Sequence, residues 1–83
     1  MDQALDLQIR AILNQHGRIA IDAHALALQA DLYQAGLSSH ASVNVMLALE
    51  GAFDLEFPDR MLTRSSFQSI AAIQSAVTEL IGG

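Results

Sequence analysis

Apolar residues recur at helical spacing along three stretches of the chain, and polar or glycine-containing breaks separate these stretches. The first stretch predicts a helix from about Gln3 to Gln15, which Gly17 ends. The second stretch predicts a helix from Ser39 to Phe53, which stops in the region of Gly51 to Asp54. This spacing is typical of helices that bury one face against a common core.

The third stretch follows a break at Phe57-Pro58-Asp59, where the proline prevents a helix from continuing. A single short helical turn is predicted at about Asp59 to Leu62. Ser65 or Ser66 can then cap a helix that runs to Ile81. The apolar face of this third helix is predicted to contain Phe67, Ile70, Ile73, Val77, Leu80 and Ile81.

The long connection between the first two helices, from about Arg18 to Ser38, is too apolar for a solvated loop. We expect it to lie across the helices as packed irregular chain, with a short helical turn near Ala23 to Leu28. The apolar residues behind this interpretation are Ile19, Ile21, Ala25, Leu26 and Leu28. Three longer helices and one short helix, joined by this long first loop, predict an all-α bundle that forms one domain over residues 1–83.

The composition supports helices and excludes a core held by disulfides. The 83 residues include one proline, five glycines and no cysteine. So few breakers favour compact helices, and without cysteine neither a disulfide nor a thiolate metal site can form. Stability must therefore come from burying the 52% of residues that are apolar. Because His16, His24 and His40 show no metal-ligand spacing, no metal site is predicted.

The charge balance excludes several classes of partner. Nine acidic residues stand against four arginines and no lysine, which gives a net charge of −5. Such a chain is repelled by a phosphate backbone, so we expect no nucleic acid partner. The longest apolar run, Val45 to Leu49, is far too short to cross a bilayer, and the acidic start is unlike a secretory signal. We therefore expect a cytoplasmic protein without a membrane partner.

One segment carries a diagnostic pattern. The residues from Gly36 to Val43, continued by Ala48-Leu49-Glu50 and Phe53-Asp54, resemble the core of the acyl and peptidyl carrier proteins. In that family a Gly-x-Asp-Ser-Leu-type motif opens the second helix, and an apolar run, Ala-Leu-Glu and a phenylalanine follow it. The Phe57-Pro58-Asp59 step also fits, so the resemblance covers most of Asp31 to Ile81. It implies the acyl-carrier fold and a carrier function.

The resemblance places Ser39 at the family's serine. It implies that a separate phosphopantetheinyl transferase attaches the 4′-phosphopantetheine of coenzyme A there. A hydroxyl is needed to form the phosphodiester, and the first turn of a helix favours a phosphate. Because the chain has no cysteine, any thioester must form on the thiol of the arm. Ser38 and Ser42 are weaker candidates for this modification, and the alternative is that Ser38 and Ser39 only cap the helix.

Two residues beside Ser39 depart from the family pattern. Ser38 stands in place of the aspartate, which keeps an N-cap oxygen but removes a charge. His40 stands in place of a leucine that commonly helps partners to recognise the site. His40 is poorly placed as a base for Ser39, because consecutive helical residues point about 100° apart. An exposed position or a contact with a partner is the expected role of His40.

The second helix is apolar on more than one side. Val45, Met46, Leu49 and Phe53 share a face that suits the core, whereas Val43 and Leu47 lie on another face. That second face also contains Ser39 or His40, together with Asn44, and it is either an exposed docking patch or covered by the long loop. In fatty-acid carriers this helix is strongly acidic, but here Ala41, Asn44 and Gly51 occupy the usual acidic positions and only Glu50 remains.

The resemblance and these departures together predict a monomeric carrier of an acyl or aminoacyl group. The loss of acidic positions favours an amino acid over a growing fatty acid as cargo. The expected partners are the transferase, a ligase that activates the cargo and downstream acceptor enzymes. The chain looks more like the peptidyl carriers or the stand-alone aminoacyl carriers than like a fatty-acid carrier, and membership of the aminoacyl group implies a ligase that resembles a truncated seryl-tRNA synthetase. We expect these enzymes to dock on the helix that begins at Ser39, through His40, Val43, Asn44 and Leu47.

Three other functions have less support in the sequence than a carrier. The main alternative is an unmodified helical adaptor that keeps a degenerate carrier fold without the arm. The terminal Gly82-Gly83 is similar to the end of ubiquitin-like modifiers, but those need a strand-rich fold, whereas this pattern is helical. An enzyme has the least support, because the sequence lacks convergent carboxylates, a cysteine nucleophile and a glycine-rich phosphate loop.

Overall fold

The computed structural model describes residues 3–82, which form a helical bundle without strands in this part of the chain. The α-helices are α1 (Gln3–Ile12), α2 (Ser39–Phe53) and α3 (Ile70–Gly82), with a π-helical turn at Leu13–Gly17 and 3₁₀ turns at Ala23–Ala25, Asp59–Met61 and Arg64–Phe67. The predicted all-α class, the bounds of the second helix and the short turn near Asp59 are confirmed. Met1, Asp2 and Gly83 lie outside the described residues.

The helices pack around one apolar core, in which α1 contacts both α2 and α3. Side chains from all three helices and from the long loop are completely buried there. The largest of them are Ile9, Leu13, Leu32, Val45, Leu49, Ile70, Ile73 and Val77. Among the described residues, no helix is both long enough and apolar enough to cross a membrane.

The first helix ends at a buried glycine. The helical chain ends at Gly17, as predicted, and Arg18 takes the left-handed conformation with φ 53°. A Cβ atom at Gly17 would lie 3.4 Å from Leu37 Cδ1 and 3.6 Å from Val45 Cγ2. These are ordinary van der Waals distances, so a small side chain would fit at residue 17, and the left-handed residue that turns the chain away from the helix is Arg18.

The long first loop is held against α1 by a buried arginine. Arg10 Nη1 donates to Ala23 O at 2.8 Å and to Leu26 O at 2.6 Å, while its Nε pairs with Asp6 at 3.0 Å. The 3₁₀ turn at Ala23–Ala25 lies where a short turn was predicted. The loop carbonyls thereby find the donors that a buried backbone requires.

The expected packing of the loop is only partly correct. Leu26 and Leu28 are half-buried, as is Ile19, but Ile21 is 49% exposed and Ala25 is also exposed. The reason is that Ala23, Leu32 and Leu37 occupy the buried positions of this segment. In an irregular segment the apolar content does not reveal which side chains are buried, because no fixed period relates sequence position to burial.

The start of α3 differs from the prediction. Ser65 and Ser66 do not cap it. They belong to a 3₁₀ turn, and α3 begins at Ile70, where the Ser69 hydroxyl accepts from Ala72 N at 3.0 Å. The loop bonds to this junction, because Leu32 N donates to Gln68 O at 2.7 Å and Ala71 N donates to Leu28 O at 3.0 Å. These two bonds hold the backbone of residues 68–71 against the loop, so the regular helix begins after them.

The predicted apolar face of the third helix is correct up to its last turn. Phe67, Ile70, Ile73 and Val77 are buried and Leu80 is half-buried. Ile81 is 56% exposed, so its predicted place in the core is wrong. Burial falls steadily toward the C-terminal end of α3 because the helix leaves the core there.

Candidate functional site

The chain enters α2 through a glycine turn and a serine cap. Gly36 has φ +114°, and Leu37 after it is buried. Ser38 has an extended backbone, and its Oγ accepts from Ala41 N at 3.0 Å. Ser38 is therefore the N-cap, which makes Ser39 the first residue of the helix, as predicted.

Three serines near the start of α2 differ in what their hydroxyl groups contact. The Ser38 oxygen caps the helix, and Ser42 Oγ donates to Ser39 O at 2.7 Å. Ser39 is exposed, and its hydroxyl makes no hydrogen bond within residues 3–82. Of the three candidates, Ser39 alone combines an exposed side chain with a hydroxyl that no neighbour engages. A hydroxyl of this kind is the most accessible to an incoming enzyme.

The outer face of α2 is exposed as well as apolar. Val43 is 49% exposed and Leu47 is 55% exposed, and the neighbouring His40 and Asn44 are exposed too. The alternative that the long loop covers Val43 and Leu47 is therefore wrong. His40 makes no hydrogen bond to the Ser39 hydroxyl, which agrees with the geometry expected for consecutive helical residues.

The single acid of α2 is used within the fold. Glu50 is half-buried, and its Oε2 accepts from Phe57 N at 2.9 Å. This bond fixes the chain that follows α2, where the Phe57 and Phe67 rings pack with centroids 5.5 Å apart. Since Glu50 is engaged in this way, the exposed face of α2 presents no free carboxylate to a partner.

An open groove of about 350 Å³ runs beside Ser39 between α2 and the chain that leads into α3. Its walls are mostly apolar, and one residue in them is charged, Arg64. The lining residues are Tyr33, Ser39, Ser42, Val43, Met46, Leu62, Thr63, Arg64 and Phe67. The groove therefore offers an apolar surface and a cation next to the free hydroxyl.

Sequence reasoning did not single out Tyr33 or Arg64. The Arg64 guanidinium carbon lies 3.9 Å from the centre of the Tyr33 ring, and the Tyr33 hydroxyl donates to Arg64 O at 3.1 Å. The two residues are 31 positions apart in the sequence, and no motif links them. The only available signal was that Tyr33 is the single tyrosine of the chain.

The residues around Ser39 fit a phosphopantetheine arm. The free hydroxyl can form the phosphodiester, and the N–H groups of the first turn of α2 favour a phosphate. The groove supplies an apolar path for the arm, and Arg64 supplies a positive charge. No described cluster of three or more His, Cys, Asp or Glu residues could hold a metal ion.

Comparison with known proteins adds a family and several relatives. Residues 8–73 match the family described as "Phosphopantetheine attachment site". The chain is 48% identical over 79 residues to the aminoacyl carrier protein of Agrobacterium fabrum (strain C58 / ATCC 33970), and the match covers 95% of each protein. It is 32% identical over 74 residues to aminoacyl carrier protein 2 of Bradyrhizobium diazoefficiens, covering 89% of this chain and 79% of that protein.

The fold is similar to chains in two solved ligase complexes. One is an engineered Bradyrhizobium japonicum glycine:[carrier protein] ligase complexed with carrier protein from Agrobacterium tumefaciens and ATP. A chain of it matches with a TM-score of 0.88 and 49% identity, covering 92% of this chain and 99% of that chain. The other is the B. japonicum ligase complexed with glycylated carrier protein, with a TM-score of 0.75 and 29% identity over 88% of this chain and 97% of that chain. The similarity spans the whole bundle rather than a local motif.

Proposed function

The chain belongs to the phosphopantetheine attachment-site family, and from this membership we propose that it is an aminoacyl carrier whose arm is attached to Ser39. The observation that carries the assignment of Ser39 is its exposed hydroxyl, which no neighbour engages, beside an apolar groove. Ser38 and Ser42 are less suited, because their hydroxyl oxygens already take part in hydrogen bonds.

Attachment at Ser39 is a phosphoryl transfer from coenzyme A. Ser39 Oγ forms a bond to the phosphorus that carries the pantetheine, and the bond from that phosphorus to the adenosine 3′,5′-bisphosphate breaks. The bisphosphate leaves with the electron pair. No described side chain makes a hydrogen bond to the Ser39 hydroxyl, so its proton would pass to a base of the transferase. Once bound, the arm supplies a terminal thiol that holds the cargo as a thioester.

The cargo we propose is an amino acid, with glycine as the first candidate. Relatives at 48% and 32% identity are named aminoacyl carrier proteins, and similar chains were solved with a glycine:[carrier protein] ligase. The partner would then be a ligase that activates an amino acid. Its likeness to a truncated seryl-tRNA synthetase stays a prediction, as do the cytoplasmic location and the monomeric state. The carrier would present its cargo and take no catalytic part.

The attachment site is tested by loading and weighing the protein. The chain is incubated with coenzyme A and a broad-specificity phosphopantetheinyl transferase, and its intact mass is measured. We expect one arm on the wild-type chain and none on Ser39→Ala, whereas Ser38→Ala and Ser42→Ala are still loaded. An adduct that survives Ser39→Ala would place the arm on another residue. No adduct on any variant would favour the unmodified adaptor instead.

The cargo is tested on the loaded protein. The holo form is incubated with glycine, ATP and a glycine:[carrier protein] ligase, and the mass is measured before and after treatment with hydroxylamine. We expect a glycyl adduct that hydroxylamine removes, because a thioester is cleaved by this nucleophile. Loading of a different amino acid in a mixture of all twenty, with no glycyl adduct, would keep the aminoacyl class but exclude glycine.

The docking face is tested by placing a charge on it. Leu47 is 55% exposed on α2, and Leu7, on α1, is exposed to the same extent. We expect Leu47→Glu to lower the kcat/KM of the ligase for the carrier by about tenfold, which corresponds to about 1.4 kcal/mol at an apolar contact. Leu7→Glu is the matched control and should change it less than about twofold. Equal effects of the two substitutions would exclude α2 as the docking face.

A further inference from the structure

Arg64 and Arg18 are the two arginines without an anionic partner among the described residues, and of these two it is Arg64 that lines the groove beside Ser39. Arg10 pairs with Asp6 at 3.0 Å, and Arg60 pairs with Glu79 at 2.8 Å. The side chain of Arg64 makes no hydrogen bond within residues 3–82, yet it lines the same groove as the exposed hydroxyl of Ser39. A guanidinium without an acid, in a mostly apolar groove, is suited to bind an anion that arrives there.

Tyr33 holds this guanidinium in place on the groove wall. Its ring centre lies 3.9 Å from Arg64 Cζ, and its hydroxyl donates to the backbone carbonyl of the same residue at 3.1 Å. Tyr33 is itself fixed, since its N–H donates to Asp31 Oδ1 at 2.9 Å. Stacking occupies a face of the guanidinium and leaves its planar N–H groups free to donate to an oxyanion.

The start of α2 adds no competing charge. Ser38 is neutral, and Ser39, His40 and Ala41 carry no carboxylate, so no acid in the first turn can pair with Arg64. The single anion that attachment would bring to this groove is the phosphodiester of the arm. Because the arm is tethered in the groove wall, the effective concentration of that phosphodiester near Arg64 is of the order of millimolar or higher.

We propose that Arg64 binds the phosphodiester of the phosphopantetheine arm and thereby directs the first part of the arm along the groove. This inference rests on the proposed attachment at Ser39. Arg64 would donate N–H groups to the phosphate oxygens, as arginine does in bidentate recognition. The methyl groups of the pantoyl unit would then contact Val43, Met46 and Leu62, which line the groove. Arg64 is a positioning residue and does not touch the thioester.

The test compares two arginines that lie in neighbouring 3₁₀ turns between α2 and α3. Holo forms of the wild type, Arg64→Gln, Arg64→Lys and the matched control Arg60→Gln are prepared, and folding is checked by circular dichroism. The ³¹P resonance of the arm is recorded as sodium chloride is raised. The ¹H–¹⁵N signal of Arg64 Nε is recorded in the apo and holo proteins. Intact mass establishes the attachment in each sample.

We expect Arg64→Gln to shift the ³¹P resonance and to lose most of its dependence on salt, because salt screens an exposed ion pair. Arg60→Gln should match the wild type, and Arg64→Lys should lie between them. The Arg64 Nε–H signal should move on conversion from apo to holo protein. Identical ³¹P signals and salt responses in the wild type and Arg64→Gln would overturn the proposal while leaving attachment at Ser39 intact.

Two further outcomes separate the possible failures. If Arg64→Gln leaves the ³¹P signal unchanged but slows loading by the ligase, Arg64 binds the partner protein and the proposal for the arm is wrong. If the wild-type chain gains no mass, or if Ser39→Ala still gains it, the proposed function fails and the assignment of Arg64 fails with it.

Discussion

Ser38 illustrates how one neutral side chain changes the surroundings of Ser39. Its hydroxyl performs the capping that an aspartate could also perform, with a distance of 3.0 Å from Oγ to Ala41 N. It does so without adding a negative charge next to the position proposed for the phosphodiester. Ser38 therefore caps the helix without a charge, so one substitution can remove the cap and another can add the charge.

The cap is tested by Ser38→Ala. We expect the free energy of unfolding to fall by about 1 kcal/mol, since Ala41 N loses its acceptor at the start of α2. Ser38→Asp should restore the stability because aspartate is an equally good cap. Urea denaturation at neutral pH measures both variants. A stability unchanged by Ser38→Ala would show that water replaces the hydroxyl at no cost.

The stability of the fold is expected to depend on pH through the carboxyl group of Asp22. Hydrogen bonds from Asn14 Nδ2, the larger cause, and from His24 N lower the pKa of Asp22 below its ordinary value. The folded chain thus favours the carboxylate. This contribution to stability is complete above the unfolded pKa of about 3.9 and is lost as the pH falls through the lower folded pKa.

We therefore expect Asp22→Asn to reduce the slope of unfolding free energy against pH in the acid range. The wild type should lose stability more steeply than the variant as the pH falls from about 5 to 3. Urea denaturation at a series of pH values measures the two slopes. Parallel curves would mean that these hydrogen bonds do not persist in solution.

At the scale of elements, α2 is the helix on which function depends. Its buried face, Ala41, Val45 and Leu49, anchors it in the core, so its other sides can be apolar without being needed for folding. Half-buried Met46 faces the groove, and exposed Leu47 is available to a partner. One helix therefore serves as core element, groove wall and proposed docking face.

Replacing glycine by alanine is expected to have opposite effects on stability at two positions in or near α2. Gly51 is exposed in the helix, and a Cβ there would meet nothing within 4 Å. We expect Gly51→Ala to stabilise the protein by about 0.5–1 kcal/mol, because alanine is the better helix former. Gly36 has φ +114°, so Gly36→Ala should destabilise it by about 1–3 kcal/mol. Urea denaturation of both variants measures the difference, and a shared sign would contradict the backbone conformations described.

The elements differ in how far local sequence determines them. α2 was predicted with its observed bounds, because a periodic apolar run is preceded by a serine cap and followed by residues that end helices. The predicted start of α3 is wrong because the observed start depends on two hydrogen bonds with residues some forty positions earlier in the chain, in which Leu28 O accepts from Ala71 N and Leu32 N donates to Gln68 O. No local pattern near Ser65 indicates such bonds.

The candidate site divides in the same way. Ser39 could be predicted because the motif around it is continuous in the sequence. The groove could not, since Tyr33 and Arg64 meet only after the long loop has packed against the chain that leads into α3. A motif identifies the residue that is modified, whereas the surface that receives the arm is a product of the fold.

At the scale of the whole molecule, Arg10 joins α1 to the long loop. Its side chain is 10% exposed and donates to two loop carbonyls and to Asp6. Asp6 in turn accepts from Gln74 Nε2 of α3 at 3.1 Å. This network connects α1, the loop and α3 through polar contacts, so its loss should destabilise the whole fold.

We expect Arg10→Leu to lower the free energy of unfolding by about 2–4 kcal/mol. Leu26 O would lose the arginine donor, Ala23 O would keep only the bond from Leu26 N, and Asp6 would lose its ion-pair partner. Arg60→Leu is the control. It removes an ion pair whose side chains are 67% and 51% exposed, and it should cost no more than about 1 kcal/mol. Comparable losses in urea denaturation would show that burial does not distinguish the two pairs.

The lack of free carboxylates on α2 affects which enzymes encounter this carrier. An enzyme that finds its carrier by long-range attraction to an acidic helix gains no acceleration from this one, whose Glu50 is turned to the backbone of Phe57. Enzymes of fatty-acid synthesis would thus rarely capture this carrier, even where both carriers share a compartment. The thioesters on this carrier and those on fatty-acid carriers would then remain separate in one compartment, because enzymes of one route would rarely encounter the carrier of the other.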